Sequence, residues 1–151
     1  LYDMQHPEIP ALSHYVPAHE GPEDELAKTF PLQLITWKGK NRANSTQYAN
    51  PWLIEAQQQK LWINPQDAQK RGIAQGDTVR IHNARGICEI PAEVTPRIIP
   101  GVVAMQAGAW WQPDEKGIDK GGCANVLSSA RITALAKGNS HQSMLVEVAK
   151  A

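Results

Sequence analysis

"LWINPQDAQKRGIAQGDTVRIHNARGICEIPAEVTPRIIPGVVAM", residues 61–105, decides the fold class. Its first residues, with Lys60, make a short strand, "KLWI" (60–63). "NPQDAQKRGI" (64–73) then carries helix-start grammar: Asn64 as N-cap, Pro65 at the first helical position and Gly72 as the stop. Gln75-Gly76-Asp77 is a turn, and "TVRIHN" (78–83) alternates Val79 and Ile81 with Arg80 and His82, the period of a half-buried strand. "ARG" (84–86) reverses the chain. "ICEIPAEVT" (87–95) returns it, with Ile87, Ile90 and Val94 expected inward and Pro91 predicting an edge position or a bulge. "IIPGVVAM" (98–105) reads as a further buried strand. Helices this short cannot serve as regular βαβ crossovers, so the pattern predicts a small closed barrel.

The flanks extend the same reading. "PLQLITW" (31–37) is a strand, apolar at Leu32, Leu34 and Ile35, with Trp37 at its exit. "NPWLIEAQQQ" (50–59) predicts a short helix with Asn50 as N-cap and Pro51 at its first position. "HQSMLVEVAK" (141–150) closes the chain as a strand, with Met144, Val146 and Val148 on one face and Leu145 on the other. No internal repeat is evident. Residues 1–30 carry Pro7, Pro10, Pro17 and Pro22 and show no regular period, so they read as an extended proline-rich arm or linker. The expected division is this arm at 1–30 and a barrel domain at 31–151, the whole reading as a fragment of something larger.

Composition narrows the function classes. Fifteen basic residues balance fifteen acidic ones, so no global field points to nucleic acid or an anionic membrane. Any anion must be held by a local arrangement. Cys88 and Cys123 belong to no CxxC or Cys/His array, which leaves structural zinc poorly supported and a single Cys88–Cys123 bridge open. The histidines at 6, 14 and 19 lie in the arm at spacings that fit surface packing better than metal binding. No catalytic triad, paired-carboxylate site, Walker sequence or dinucleotide fingerprint stands out; Ser128 and Ser129 lack an elbow motif, and "GGCAN" (121–125) follows no strand. No residue is therefore assigned a catalytic or metal-binding role.

Ligand binding is better supported. Two polar loops, 36–47 and 117–128, and the short "NSHQS" (139–143) combine amides, hydroxyls and glycines. Glycines admit close approach of a phosphate or planar ring to the backbone. Lys38 and Arg42 can neutralise phosphates, and the amides of Asn44, Asn125 and Gln142 can read the mixed donor and acceptor edge of a purine or pterin. Each loop taken singly is also an ordinary turn-rich surface. Asp67 and Asp77 are read as structural, a helix-start charge and a turn former. Trp110 and Trp111 are expected to pack under the loops or to face a further domain.

The ordered series "NPxDA…GI…GDxVxI…RG" ending in "VTPRIIPGVV", with "GGCANVLSS" and "NSHQS" after it, resembles the C-terminal molybdopterin-dinucleotide-binding domain of the dimethyl sulfoxide reductase family. The likeness runs over residues 31–150 and is greatest to the anaerobic S-oxide reductase branch and its selenate-reductase-like paralogues. It implies a mainly β fold with short helices, a six-stranded double-psi β-barrel. It also implies a role in holding one molybdopterin guanine dinucleotide of a bis-pterin molybdenum cofactor. The family's loop after the first strand commonly reads H-P-x-x-R-x-H-S; here the arginine and serine are kept as Arg42 and Ser45, while Lys38 and Asn44 replace the histidines. The implied cofactor-binding set is Trp37, Lys38, Arg42, Asn44, Ser45, Gly122, Asn125, His141 and Gln142.

The resemblance further implies a parent molybdenum oxidoreductase acting on S-oxides or N-oxides. Its remaining domains would carry a 4Fe-4S cluster, and its partners would be an iron–sulfur electron-transfer subunit and a membrane-anchor subunit at the periplasmic face. This domain would contribute cofactor binding, not bond breaking, and alone is expected to be inactive. Two other classes compete: a stand-alone double-psi-barrel module for substrate or protein binding, and a small barrel enzyme using Ser128 or His141.

Overall fold

The computed structural model describes residues 2–12 and 14–151. In chain order its elements are β1 (Leu32–Trp37), α1 (Pro51–Ala56), β2 (Leu61–Ile63), α2 (Pro65–Lys70), β3 (Thr78–His82), β4 (Ile87–Val94), β5 (Val102–Gln106) and β6 (Met144–Lys150), with 3₁₀ turns at Tyr2–Met4, Glu25–Lys28 and Ala124–Val126. The six strands close into one barrel in the order β1-β5-β2-β4-β3-β6. Two neighbour pairs are parallel, β1 with β5 and β2 with β4, and the other four are antiparallel. The link from β1 to β2 therefore passes over β5, and the link from β4 to β5 passes over β2. Exchanging β1, β2 and β3 with β4, β5 and β6 leaves this pairing pattern unchanged, a repeat of pairing with no counterpart in the residues.

Both helices start as their asparagines dictate. Asn50 Oδ1 accepts from the Trp52 amide at 3.1 Å, and Asn64 Oδ1 accepts from the Gln66 amide at 2.9 Å. Caps of this kind contribute about 1 kcal/mol each, whereas burying one aliphatic side chain contributes about 1.5–3 kcal/mol. The barrel interior, with Leu34, Leu61, Ile63, Val79, Ile81, Val103 and Met144 all fully enclosed, therefore stabilises the fold far more than the caps do.

The structure corrects several details. In β4 the enclosed apolar residues are Cys88, Ile90 and Ala92, while Ile87 is only half-buried, because it lies one position out of phase with Ile90. Pro91 sits on no edge. It falls where β4 ends its ladder with β3 (Thr78 opposite Pro91) and begins its ladder with β2 (Leu61 opposite Ala92). β5 begins at Val102, later than expected, since residues 98–101 turn through Gly101 at φ +82°. α2 holds that turn: Asn64 Nδ2 donates to the Ile98 carbonyl at 2.7 Å, and Asp67 Oδ2 accepts from the Gly101 amide at 2.7 Å. Leu145, on the outer face of β6, is also buried, and its amide donates to Glu20 Oε2 at 3.3 Å. Cys88 and Cys123 are both buried free thiols, so no bridge joins them.

The arm is anchored to the barrel at Glu20. Glu20 adopts a left-handed backbone, φ +54°, that a side chain rarely takes. Its carboxylate is enclosed and receives Arg85 Nη1 and Nη2, each at 2.7 Å. Arg85 also donates from Nε and Nη2 to the Leu127 carbonyl, at 2.9 and 2.7 Å.

Candidate cofactor-binding site

Three loops meet where β1 and β5 end and β6 begins. Ser45 from the first, Ala124 and Asn125 from the second, and His141 from the third line one cleft together with Thr36 and Gly108. Its empty space, open mouth included, is about 470 Å³. A second depression lies between Asn41, Arg42, Tyr48, Gln57 and Gln59. The three loops that the sequence singled out are thus neighbours in space.

The candidate residues fall into three groups. Ser45, Asn125 and His141 reach the first cleft. Lys38 and Asn44 pair with each other, ammonium to amide oxygen, and Asn44 takes a left-handed backbone at φ +53°. The others are engaged by the protein itself. Gln142 is clamped to β1: its Oε1 accepts from the Thr36 amide at 2.8 Å, and its Nε2 donates to Thr36 Oγ1 at 2.8 Å and to the Thr36 carbonyl at 3.1 Å. Trp37 lies against Trp62, ring centroids 4.9 Å apart, and borders a different groove with Lys60 and Arg97. At Gly122 a Cβ would stand 2.4 Å from Gln59 Cγ, so this chain's own glutamine fills the space that a glycine offers.

Arg42 is the electrostatic centre. Its Nη2 donates to Gln59 Oε1 at 2.7 Å and to Gln106 Oε1 at 2.8 Å, and its guanidinium lies 5.1 Å from the Tyr48 ring centroid. All of these partners are neutral. Burial pulls the guanidinium below its ordinary pKa, with Tyr48 opposing the shift, yet so strong a base stays charged at neutral pH. Arg42 Nη1 is buried with no hydrogen-bond partner among the described residues. A cation held only by neutral groups and keeping a free donor is suited to an anionic group such as a phosphate.

Sequence reasoning missed the residues that shape the site. Tyr48 donates to the Gly121 carbonyl at 2.9 Å and stacks at 5.7 Å on Trp110. Burial raises the Tyr48 phenol above its ordinary pKa, so it remains a donor. Asp119 is completely enclosed and gathers the second loop: Oδ1 accepts from Gln112 and Gly121 amides at 2.8 and 3.1 Å, and Oδ2 from the Cys123 amide at 2.7 Å. Burial, then Asp119 beside it, pushes the Cys88 thiol up, so it is no nucleophile at neutral pH. Trp110 is half exposed, though its Nε1 donates to the Ser45 carbonyl at 2.9 Å, and Trp111 is more exposed still. Among the described residues no cluster of three or more His, Cys, Asp or Glu could hold a metal ion.

The fold is thus a closed six-stranded barrel with a polar, cation-bearing loop cluster at one end. Residues 32–145 match the family described as Molydopterin dinucleotide binding domain, and the chain belongs to that family. Among curated relatives it is 52% identical over 143 residues to dimethyl sulfoxide reductase DmsA of Escherichia coli (strain K12), covering 94% of this chain and 17% of that protein. It is 39% identical over 135 residues to trimethylamine-N-oxide reductase of Haemophilus influenzae (strain ATCC 51907 / DSM 11121 / KW20 / Rd), covering 83% of this chain and 16% of that protein. The chain thus spans about one sixth of the length of these relatives. Its barrel also superposes on acetylene hydratase from Pelobacter acetylenicus with a TM-score of 0.74 at 16% identity, over 91% of this chain and 21% of that one, a likeness of fold. The resemblance and the six-stranded barrel expected from the sequence are both borne out.

Proposed function

We propose that the chain holds one molybdopterin guanine dinucleotide of a bis-pterin molybdenum cofactor, as the dinucleotide-binding domain of a larger S-oxide or N-oxide reductase. The observation that carries this reading is the convergence of Ser45, Asn125 and His141 on one cleft beside a loop that presents Lys38 and Arg42. Lys38, Arg42, Asn44, Ser45, Asn125 and His141 would contact the dinucleotide. Trp37, Gly122 and Gln142 would support those contacts from behind, in keeping with their engagement by Trp62, Gln59 and Thr36. A dinucleotide needs cations for its pyrophosphate and amides for its base edge, and this donor set fits both. The charge-assisted bonds of Lys38 and Arg42 would contribute roughly 1.5–3 kcal/mol each.

When bound, the cofactor supplies two-electron oxygen-atom transfer. The chain's own part is to bind and orient it. The barrel at 31–151 is the binding unit and residues 1–30 an arm leading from the rest of the parent. The names of the relatives support an S-oxide or N-oxide as substrate. A 4Fe-4S cluster in the parent chain, an iron–sulfur partner subunit, a membrane-anchor subunit and a periplasmic setting belong to the same proposal.

Titration of the nitrogen-15-labelled chain with guanosine diphosphate tests the reading. Amide shifts are expected at Lys38, Asn44, Asn125 and His141. Shifts confined to residues outside the three loops, or none, would sink it.

A further inference from the structure

Gln59 and Gln106 are 47 residues apart, and neither belongs to a loop that composition marks as a binding surface. Gln106 is almost wholly buried at the end of β5; Gln59 lies in the link between α1 and β2. Each accepts from Arg42 Nη2 through its amide oxygen. Each then directs its amide nitrogen to a different part of the site. Gln59 Nε2 donates to the Gln106 carbonyl at 2.9 Å and to the Gly122 carbonyl at 3.0 Å. Gln106 Nε2 donates to Asn41 Oδ1 at 2.6 Å, and Asn41 Nδ2 in turn donates to the Leu53 carbonyl of α1 at 3.2 Å. Glycines make room for both amides: a Cβ at Gly39 would stand 1.6 Å from Gln106 Nε2, and one at Gly122 would stand 2.4 Å from Gln59 Cγ.

We infer that Gln59 and Gln106 are positioning residues, a two-glutamine clasp that fixes the loop after β1 against the 119–125 loop and thereby sets the geometry of the dinucleotide site. The inference rests on the function proposed above and concerns residues outside its contact set. The chemistry explains why both positions carry amides. A carboxylate would attract Arg42 more strongly, but it has no donor for the carbonyls of Gln106 and Gly122 or for Asn41. It would also cancel the charge of Arg42 on which an anionic ligand depends. An apolar side chain would abandon Arg42 altogether. An amide accepts from the guanidinium, leaves the cation its charge and still donates onward, from Gln59 to the second loop and from Gln106 to Asn41.

The discriminating variant is Gln59→Glu, read against wild type by nitrogen-15 spectra and guanosine diphosphate titration between pH 7 and pH 4.5. At pH 7 the amides of Gly121, Gly122 and Cys123 should shift, with those next to the Gln106 carbonyl, while the rest of the β1–β6 amides stay in place. Affinity for the nucleotide should fall about tenfold, the scale expected when a buried carbonyl loses its donor and a cation is neutralised. As pH falls, protonation of the introduced carboxyl restores an O–H donor, so affinity should recover toward wild type. Gln59→Leu, which cannot be rescued by a proton, should stay weak throughout. A wild-type chain that ignores the nucleotide overturns the proposed function and the clasp's role with it. A wild type that responds, with Gln59→Glu equal to it at pH 7 or weak at both pH values, overturns the clasp alone.

Discussion

Arg85 and Arg42 are held in opposite ways, and the contrast separates a staple from a site. Arg85 meets an enclosed carboxylate with both terminal nitrogens and gives two further bonds to the Leu127 carbonyl. Its charge is cancelled and its bonding capacity is largely used, so it ties the arm at Glu20 to the barrel. Arg42 meets only the amide oxygens of Gln59 and Gln106 and the face of Tyr48, and its Nη1 has no partner among the described residues. Neutral dipoles hold the guanidinium in place without neutralising it. A third arrangement lies between them: Glu89 receives Arg80 Nε and Nη2 at 2.9 and 2.7 Å and also the Lys120 ammonium, a network whose cations reach solvent.

The comparison breaks most visibly in stability. Arg85→Met leaves the Glu20 carboxylate enclosed without its cation, which should cost about 3 kcal/mol and lower Tm by roughly 10 °C for a domain of this size. Thermal unfolding followed by circular dichroism measures it. The Glu20→Gln/Arg85→Met double variant should regain part of the loss, because the stranded charge is gone. A single variant as stable as wild type would show that Arg85 is no staple.

Arg42→Met sharpens the other side. It strands the amide oxygens of Gln59 and Gln106 but no charge, so the stability loss should be about 1–2 kcal/mol, smaller than that of Arg85→Met, while the response to guanosine diphosphate disappears. Loss of stability equal to that of Arg85→Met, with nucleotide binding intact, would reverse the roles assigned to the two arginines.

The smallest effect is expected at Glu89 and appears as pH dependence. Hydrogen bonds from Lys120 and then Arg80 hold its carboxyl below the ordinary value of 4.5. Because the folded state binds the proton more weakly than the unfolded chain, the contribution is complete above that ordinary value and is lost as pH falls through the lower folded one. In urea unfolding from pH 7 to pH 3, wild type should lose its advantage over Glu89→Gln across the acid end of that range. A difference constant with pH would refute the pairing.

What was legible in the sequence was short-range. Asn50 and Asn64 cap the helices they precede, and alternation in "TVRIHN" places Val79 and Ile81 inward. Of the candidate site, the sequence marked the loops better than the roles within them. Ser45, Asn125 and His141 share a cleft, while Gln142, Gly122 and Trp37 prove to be committed to Thr36, Gln59 and Trp62. Tyr48, Gln59 and Asp119 gave no usable signal, because a lone amide, phenol or carboxylate has no periodicity. Gln106 carried one clue, a polar residue closing the apolar run Val102–Met105.

By itself, the sequence determined the strands, the caps and the family, since each depends on residues adjacent in the chain or on an ordered series of them. Tertiary structure alone decided which strands are neighbours, and so the repeated pairing that no residue repeat announces. It also decided which cation is compensated and which keeps its charge. Arg85 and Arg42 are chemically identical, and only the fold sets a carboxylate 65 residues away against one and amides 17 and 64 residues away against the other. Charge compensation acts over a few ångströms of space, and no spacing along the chain encodes it.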